Sequence, residues 1–176
     1  SESETFYKYF STQPLTVLII SVILRIEQTK ISYLHATTIS YKEVSMNINK
    51  FTQKSLAAVQ GCEKLAYEYG NQQMEQEHLL VSLLTLEDSL ILKLIAKMEI
   101  QPEMFTGEAE KLLEKLPKVS GGGQLYVSND LNKVLVNAED EAKAMGDEYV
   151  SVEHLFLAMV KQPGRAIKEL FRLYNI

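Results

Sequence analysis

Two Glu-His pairs, Glu77-His78 and Glu153-His154, a lone cysteine, Cys62, and a glycine run at 121–123 are the features of this 176-residue chain that could do chemistry. Zinc hydrolysis from a helix needs His-Glu-x-x-His, which puts two imidazoles on one helical face; here the order is reversed and each segment holds one His. No Cys or carboxylate stands at metal-ligand spacing, so both histidines are read as packing positions in the first turn of a helix, beside buried leucines. Cys62 falls on an apolar stripe, and a nucleophile would need a base that the sequence does not place nearby. The glycine run is followed by Gln124, Leu125 and Tyr126 rather than the Lys and Ser/Thr of a P-loop, so 119–123 reads as a flexible connector. No catalytic residue and no metal site is expected.

Glu77 and Glu153 are the more informative members of the pairs. A carboxylate at the amino end of a helix is favoured by the helix dipole and remains reachable from outside. Together with Thr52 and Ser128, the two glutamates would make two symmetry-related polar pockets for cationic groups.

The elements that position these residues come from an internal repeat. Sliding the chain by 76 residues aligns Glu63 with Glu139, Ala66 with Ala142, Gly70 with Gly146, Glu77-His78-Leu79 with Glu153-His154-Leu155, Ile91 with Ile167, Leu94 with Leu170 and Ile100 with Ile176. Fixed-offset self-similarity marks a duplicated structural unit, and two copies point to a pseudo-two-fold bundle. Leu56, Val59, Cys62, Ala66 and Tyr69 form one stripe at helical spacing; Leu131, Val134, Leu135, Ala138, Ala142 and Met145 form its counterpart, and both should face the core.

Thr52 and Ser128 stand where N-cap hydroxyls would serve these first helices, and Gly70 and Gly146 where left-handed residues would end them. Phe51 and Leu56 are placed as a hydrophobic staple. A second helix is expected in each copy, near 75–86 and 151–162. A third is capped by Asp88 or Ser89, and Pro163 is placed in the first turn of its counterpart. A further helix starts at Pro102 and ends before Pro117. The fold class is all-α, with about seven helices and no strand: repeat 1 at about 51–117, a linker at 118–127 and repeat 2 at 128–176.

Residues 1–45 have another character, with no glycine, no aspartate and balanced charge. Their apolar run at 15–24 is too short for the ~20 residues that span a bilayer, and it lacks the flanks of a signal peptide. They are read as an N-terminal extension, a non-native leader before a start at Met46. The net charge of −5 removes the basic footprint that nucleic-acid binding needs, and one cysteine fits a reducing compartment. The expectation is a cytoplasmic protein with neither a membrane nor a nucleic-acid partner.

The segments FTQKSLAAVQ, EYGNQQMEQEHLLVSLL and AMGDEYVSVEHLFLAMV resemble the duplicated Clp N-terminal domain, and the resemblance covers residues 46–176. EKLPKVSGGG followed by VSNDLNKVL is most similar to the ClpB, disaggregating branch. The resemblance implies a non-enzymatic binding domain that needs no cofactor and is monomeric alone, tethered to hexameric rings that use ATP and Mg²⁺. It further implies that the domain recruits unfolded or aggregated polypeptide, through a groove matched here by Thr52, Leu135, Asp147 and Glu153, with Asn137 where a groove leucine would stand. The alternative it implies is the ClpC- or ClpA-like mode, binding adaptors or phosphoarginine tags at Thr52, Glu77, Ser128 and Glu153, where Gln76 replaces a threonine.

Overall fold

Seven α-helices make up most of the described residues, 47–119 and 124–176 of the computed structural model. The extension at 1–45, the start at Met46 and the glycines of the connector lie outside the described residues. In chain order the helices are α1 (Gln53–Tyr69), α2 (Gln76–Thr85), α3 (Leu90–Lys97), α4 (Pro102–Glu114), α5 (Asn129–Met145), α6 (Val152–Lys161) and α7 (Arg165–Leu173), after a 3-10 turn at Ile48–Lys50.

The first helix of each copy is bracketed by the local signals expected of it. Thr52 Oγ1 accepts from Ser55 N at 3.2 Å and Ser128 Oγ from Leu131 N at 3.0 Å, each satisfying a first-turn amide that has no partner within the helix. Gly70 and Gly146 end the helices at φ 69° and 78°, where a Cβ would be strained. Nothing lies within 4 Å of a Cβ built on Gly70, so Gly70→Ala isolates the backbone term. A urea titration should find it less stable by about 1 kcal/mol.

Apolar residues of α1 and α5 point inward as the period predicts, except at the stripe ends: Leu56 and Tyr69 are half-buried and Met145 is exposed. Burial of the stripes against α2 and α6 supplies most of the driving force, because helices of this length are marginal alone. Ser89 caps α3, accepting from Leu92 N at 3.1 Å, while Asp88 sits at φ 53° just before it. Pro102 opens α4 as expected. Pro163 does not open α7: the N-cap is Gly164, whose backbone N–H bonds the Gln76 side chain, so the proline stands one residue outside the cap.

The absence of strands is corrected as well. β1 (Gln73–Met74) and β2 (Tyr126–Val127) pair in parallel, Gln73 with Tyr126 and Met74 with Val127. An isolated parallel bridge joins Phe51 to Val150, which is the Val127–Met74 pair carried across the repeat. Each first helix is thus entered from a residue bonded to the segment that leads into the other copy's second helix. Thr52 N donates to Val150 O at 2.9 Å and Ser128 N to Met74 O at 2.9 Å. Such two-residue ladders carry no alternation for a sequence reading to detect.

Candidate functional site

Both histidines are buried, and both cap the helix that they begin. Glu75 N donates to His78 Nδ1 at 2.9 Å and Ser151 N to His154 Nδ1 at 2.9 Å, which fixes the proton of each neutral ring on Nε2. The Nε2 proton then goes to Asn71 Oδ1 in the first copy and to Asp147 Oδ2 in the second, each at 3.0 Å. This is a capping box with His in the place usually held by Glu or Gln.

Ser151, His154 and Asp147 carry the residue types of a hydrolase triad, and Ser151 Oγ lies 3.0 Å from His154 Nδ1. The single Nδ1 lone pair is already engaged by the Ser151 amide, and the Ser151 hydroxyl accepts from the backbone N–H of His154, so both groups are committed to the cap. The first copy repeats the geometry with Glu75 and Asn71, which have no such chemistry. Cys62 is fully buried, and burial pushes its thiol far above the ordinary range. Among the described residues no three His, Cys, Asp or Glu side chains gather as a metal would require, and no helix is long and apolar enough to cross a membrane.

The residues nominated for substrate binding are placed unequally. Thr52 is half-buried in its cap, Glu153 is exposed in the first turn of α6, and Asp147 is exposed on the loop after α5. Leu135 is a correction: it is 1% exposed within the core, where its place on the α5 stripe puts it, and offers no surface. Asn137 is half-buried, its Nδ2 donating to Gln162 Oε1 at 2.7 Å.

Glu77 and Ser128 do not form the second pocket by themselves. Ser128 is buried and its hydroxyl serves its own cap, while Glu77 joins Glu75, Asp130, Glu169 and Arg165 around a cavity of about 370 Å³. Burial raises the pKa of Glu77, helped by the neighbouring charges of Glu75 and Asp130, and burial is also the main cause of the rise at Glu75. Gln76 floors the cavity: its Nε2 donates to Asp130 O at 3.0 Å and Gln162 O at 3.1 Å, and its Oε1 accepts from Gly164 N at 2.8 Å. In the other copy, positions 130 and 169 correspond to Lys54 and Lys93, which meet at Asp88. The charges invert across the pseudo-two-fold, so the copies do not offer two alike cationic-group pockets.

An apolar surface exists elsewhere. Leu90, Leu94 and Met98 follow one another at one-turn spacing along α3 and its C-cap, 47%, 40% and 40% exposed, whereas the repeat equivalent of Leu94, Leu170, is 6% exposed. Ile91 and Ile95, on the adjoining side of the same helix, anchor it in the core.

The family described as Clp repeat (R) N-terminal domain matches residues 50–173. The chain belongs to that family. As a Clp N-terminal domain it is a binding domain, distinct from the ATPase module. The chain is 41% identical over 126 residues to the chaperone protein ClpB of Nitratidesulfovibrio vulgaris (strain Hildenborough), a match covering 69% of the chain and 15% of that protein. To ClpB of Porphyromonas gingivalis it is 44% identical over 115 residues, covering 65% of this chain and 13% of that one. It therefore spans about a sixth or less of the length of these relatives.

Among solved structures, the Hsp104 N-terminal domain from Candida albicans is similar with a TM-score of 0.64 at 22% identity, covering 72% of this chain and 83% of that one. A ClpV N-domain solved in complex with a VipB peptide is similar at 0.57 and 17% identity, covering 71% and 79%. Both likenesses concern the fold of the Clp N-terminal domain. Sequence reasoning missed Glu75 and Asp130 in its site, and had Gln76 only as the replacement of a threonine. The partners of the buried Gln76 amide are backbone groups 54 to 88 positions away, a distance over which no local pattern carries.

Proposed function

We propose that this domain recruits unfolded or aggregated polypeptide for a ClpB-type disaggregase and does no chemistry of its own. The supporting observation is the half-exposed stripe of Leu90, Leu94 and Met98, on a domain 41% identical to the matching part of a ClpB chaperone. Three half-exposed side chains are few beside the ~800 Å² per partner of a stable interface, so binding is weak and cargo is released readily. Thr52, Asp147 and Glu153 serve as polar contacts, and Leu135 acts from the core by holding α5 in place. The parent protein works in the cytoplasm as a hexamer using ATP and Mg²⁺, and the isolated domain is a monomer.

Replacing Leu90 and Leu94 together by serine leaves the Ile91 and Ile95 anchors intact. Binding of a denatured model protein, read by fluorescence anisotropy, should weaken by about tenfold with an unchanged circular dichroism spectrum. Unchanged affinity would remove this reading.

A second reading, binding of an adaptor or a phosphoarginine tag, is favoured by the acidic cavity with Arg165 at the start of α7. Glu75 and Glu77 would take the guanidinium and Arg165 the phosphate. Gln76 already occupies the Gly164 amide, which removes one phosphate donor from that site. Titrating phosphoarginine against a denatured protein separates the two readings.

A further inference from the structure

Asp147 and Glu153, two of the polar contacts assigned above, stand on different elements, yet one buried ring joins them. His154 is 1% exposed in the first turn of α6, beside Glu153 in sequence. Its Nδ1 accepts from Ser151 N at 2.9 Å, and its Nε2 donates to Asp147 Oδ2 at 3.0 Å. The backbone around it is tied independently. Asp147 N bonds Ala142 O at 2.8 Å, Val150 N bonds Lys50 O at 2.7 Å, and Val150 O accepts from Thr52 N at 2.9 Å and Ser55 Oγ at 2.6 Å. These bonds fix where Asp147 stands but not where its carboxylate points, because the last torsion of an Asp side chain is soft. The side chain is 54% exposed, and among the described residues the carboxylate has His154 as its one partner.

The first copy shows the same device aiming a side chain. His78, also buried, accepts from Glu75 N at 2.9 Å and holds Asn71 Oδ1 from Nε2 at 3.0 Å, and Asn71 so held donates from Nδ2 to Pro117 O at 3.0 Å. In each copy the imidazole bridges the first turn of a helix and the residue seven positions earlier. A rigid ring with an acceptor on one edge and a donor on the other suits this task. The glutamate usual in a capping box accepts at the cap but has no proton to offer a second carboxylate.

We infer that His154 is a positioning residue for cargo binding: through Nε2 it holds the Asp147 carboxylate in one orientation relative to Glu153 before polypeptide arrives. The inference rests on the recruiting function proposed above, in which both carboxylates are contacts. His154 itself is buried and touches no cargo. Its contribution is entropic, since a side chain already ordered in the free domain need not be ordered on binding. The Ser151, His154 and Asp147 set, which does no hydrolysis, thereby has a use in recognition.

The test pairs His154→Leu with His78→Leu in the full chain. Each removes a buried ring and its cap bond, so the two should lower the urea midpoint alike. Affinity for a permanently unfolded, carboxymethylated protein, read by fluorescence anisotropy, should fall about fivefold for His154→Leu and stay at the parent value for His78→Leu. His154→Gln, whose amide has an oxygen for Ser151 N and a nitrogen for Asp147, should recover most of that loss. In an Asp147→Ala background His154→Leu should cost no further affinity, because the ring then has nothing to aim. If His154→Leu does not fold, His154→Glu, which keeps the cap acceptor and sets a carboxylate against Asp147, takes its place with the same expectation. Equal affinities for the two leucine variants, no recovery with glutamine, or a full additional loss in the Asp147→Ala background would make His154 merely structural and overturn the inference. An Asp147→Ala protein that binds as the parent does would overturn it too, whereas the recruiting function itself stands or falls with the Leu90 and Leu94 variant.

Discussion

Gly61→Val should lower the thermal midpoint of the domain by about 10 °C, the result of adding roughly 3 kcal/mol of overpacking where two helices cross closely. Even a single Cβ at Gly61 would lie 2.1 Å from Ser82 Oγ and 3.1 Å from Ser82 Cβ. The serine cannot turn aside freely, because its hydroxyl donates to Ala58 O at 2.6 Å in a buried site. The internal control is Gly107, in the middle of α4, where an added Cβ meets nothing within 4 Å. There Gly107→Ala should raise stability by about 0.5–1 kcal/mol, the ordinary gain of Ala over Gly in a helix. Calorimetry of the two variants decides the point: a Gly61→Val protein melting with the parent would mean that α1 and α2 do not cross this closely.

Acid should weaken the fold through His78, and the loss can be assigned to that one ring. Burial lowers its pKa to about 4 from an ordinary value of 6.5. The unfolded chain therefore takes up the proton at a higher pH than the folded one, so the stability is complete above pH 6.5 and is lost as the pH falls towards 4. Over that window the loss is on the order of 3 kcal/mol. Glu75 and Glu77 act in the opposite sense, since their folded pKa values are raised and their protonation favours the fold as pH falls. The comparison that removes them is His78→Gln, which keeps an acceptor for the Glu75 amide in the usual capping-box residue. Urea midpoints at pH 7 and pH 4.5 should fall much further for the parent than for this variant; equal slopes would refute the assignment.

What the chain discloses before folding depends on how local each signal is. The first helix of each copy was legible end to end, because its cap hydroxyl, apolar stripe and terminal glycine all act within a few residues of one another. The histidines were legible as buried first-turn residues, yet their capping role was not. Its one trace in the sequence is Asn71 and Asp147, each seven positions ahead of a histidine and aligned by the repeat. Leu135 is instructive in another way: its helical period assigned it to the core, and only family resemblance moved it to a surface. The acidic cavity was half legible, since Glu77 is a first-turn residue, but Glu75, Gln76 and Asp130 converge there through packing between the copies.

The exchanged bridges, Phe51 with Val150 and Val127 with Met74, bear on the order in which the domain acquires its structure. The amide that opens α1 is satisfied by a residue 98 positions later, so the first copy cannot be completed until the chain has been synthesised beyond α5. Closing so long a loop is slow, and on a ribosome the wait is several seconds at ordinary rates of elongation. The halves should consequently unfold in one transition, with amide protons of α1 and α6 exchanging together, and a protein cut in the connector should hold together until denaturant separates both pieces at once.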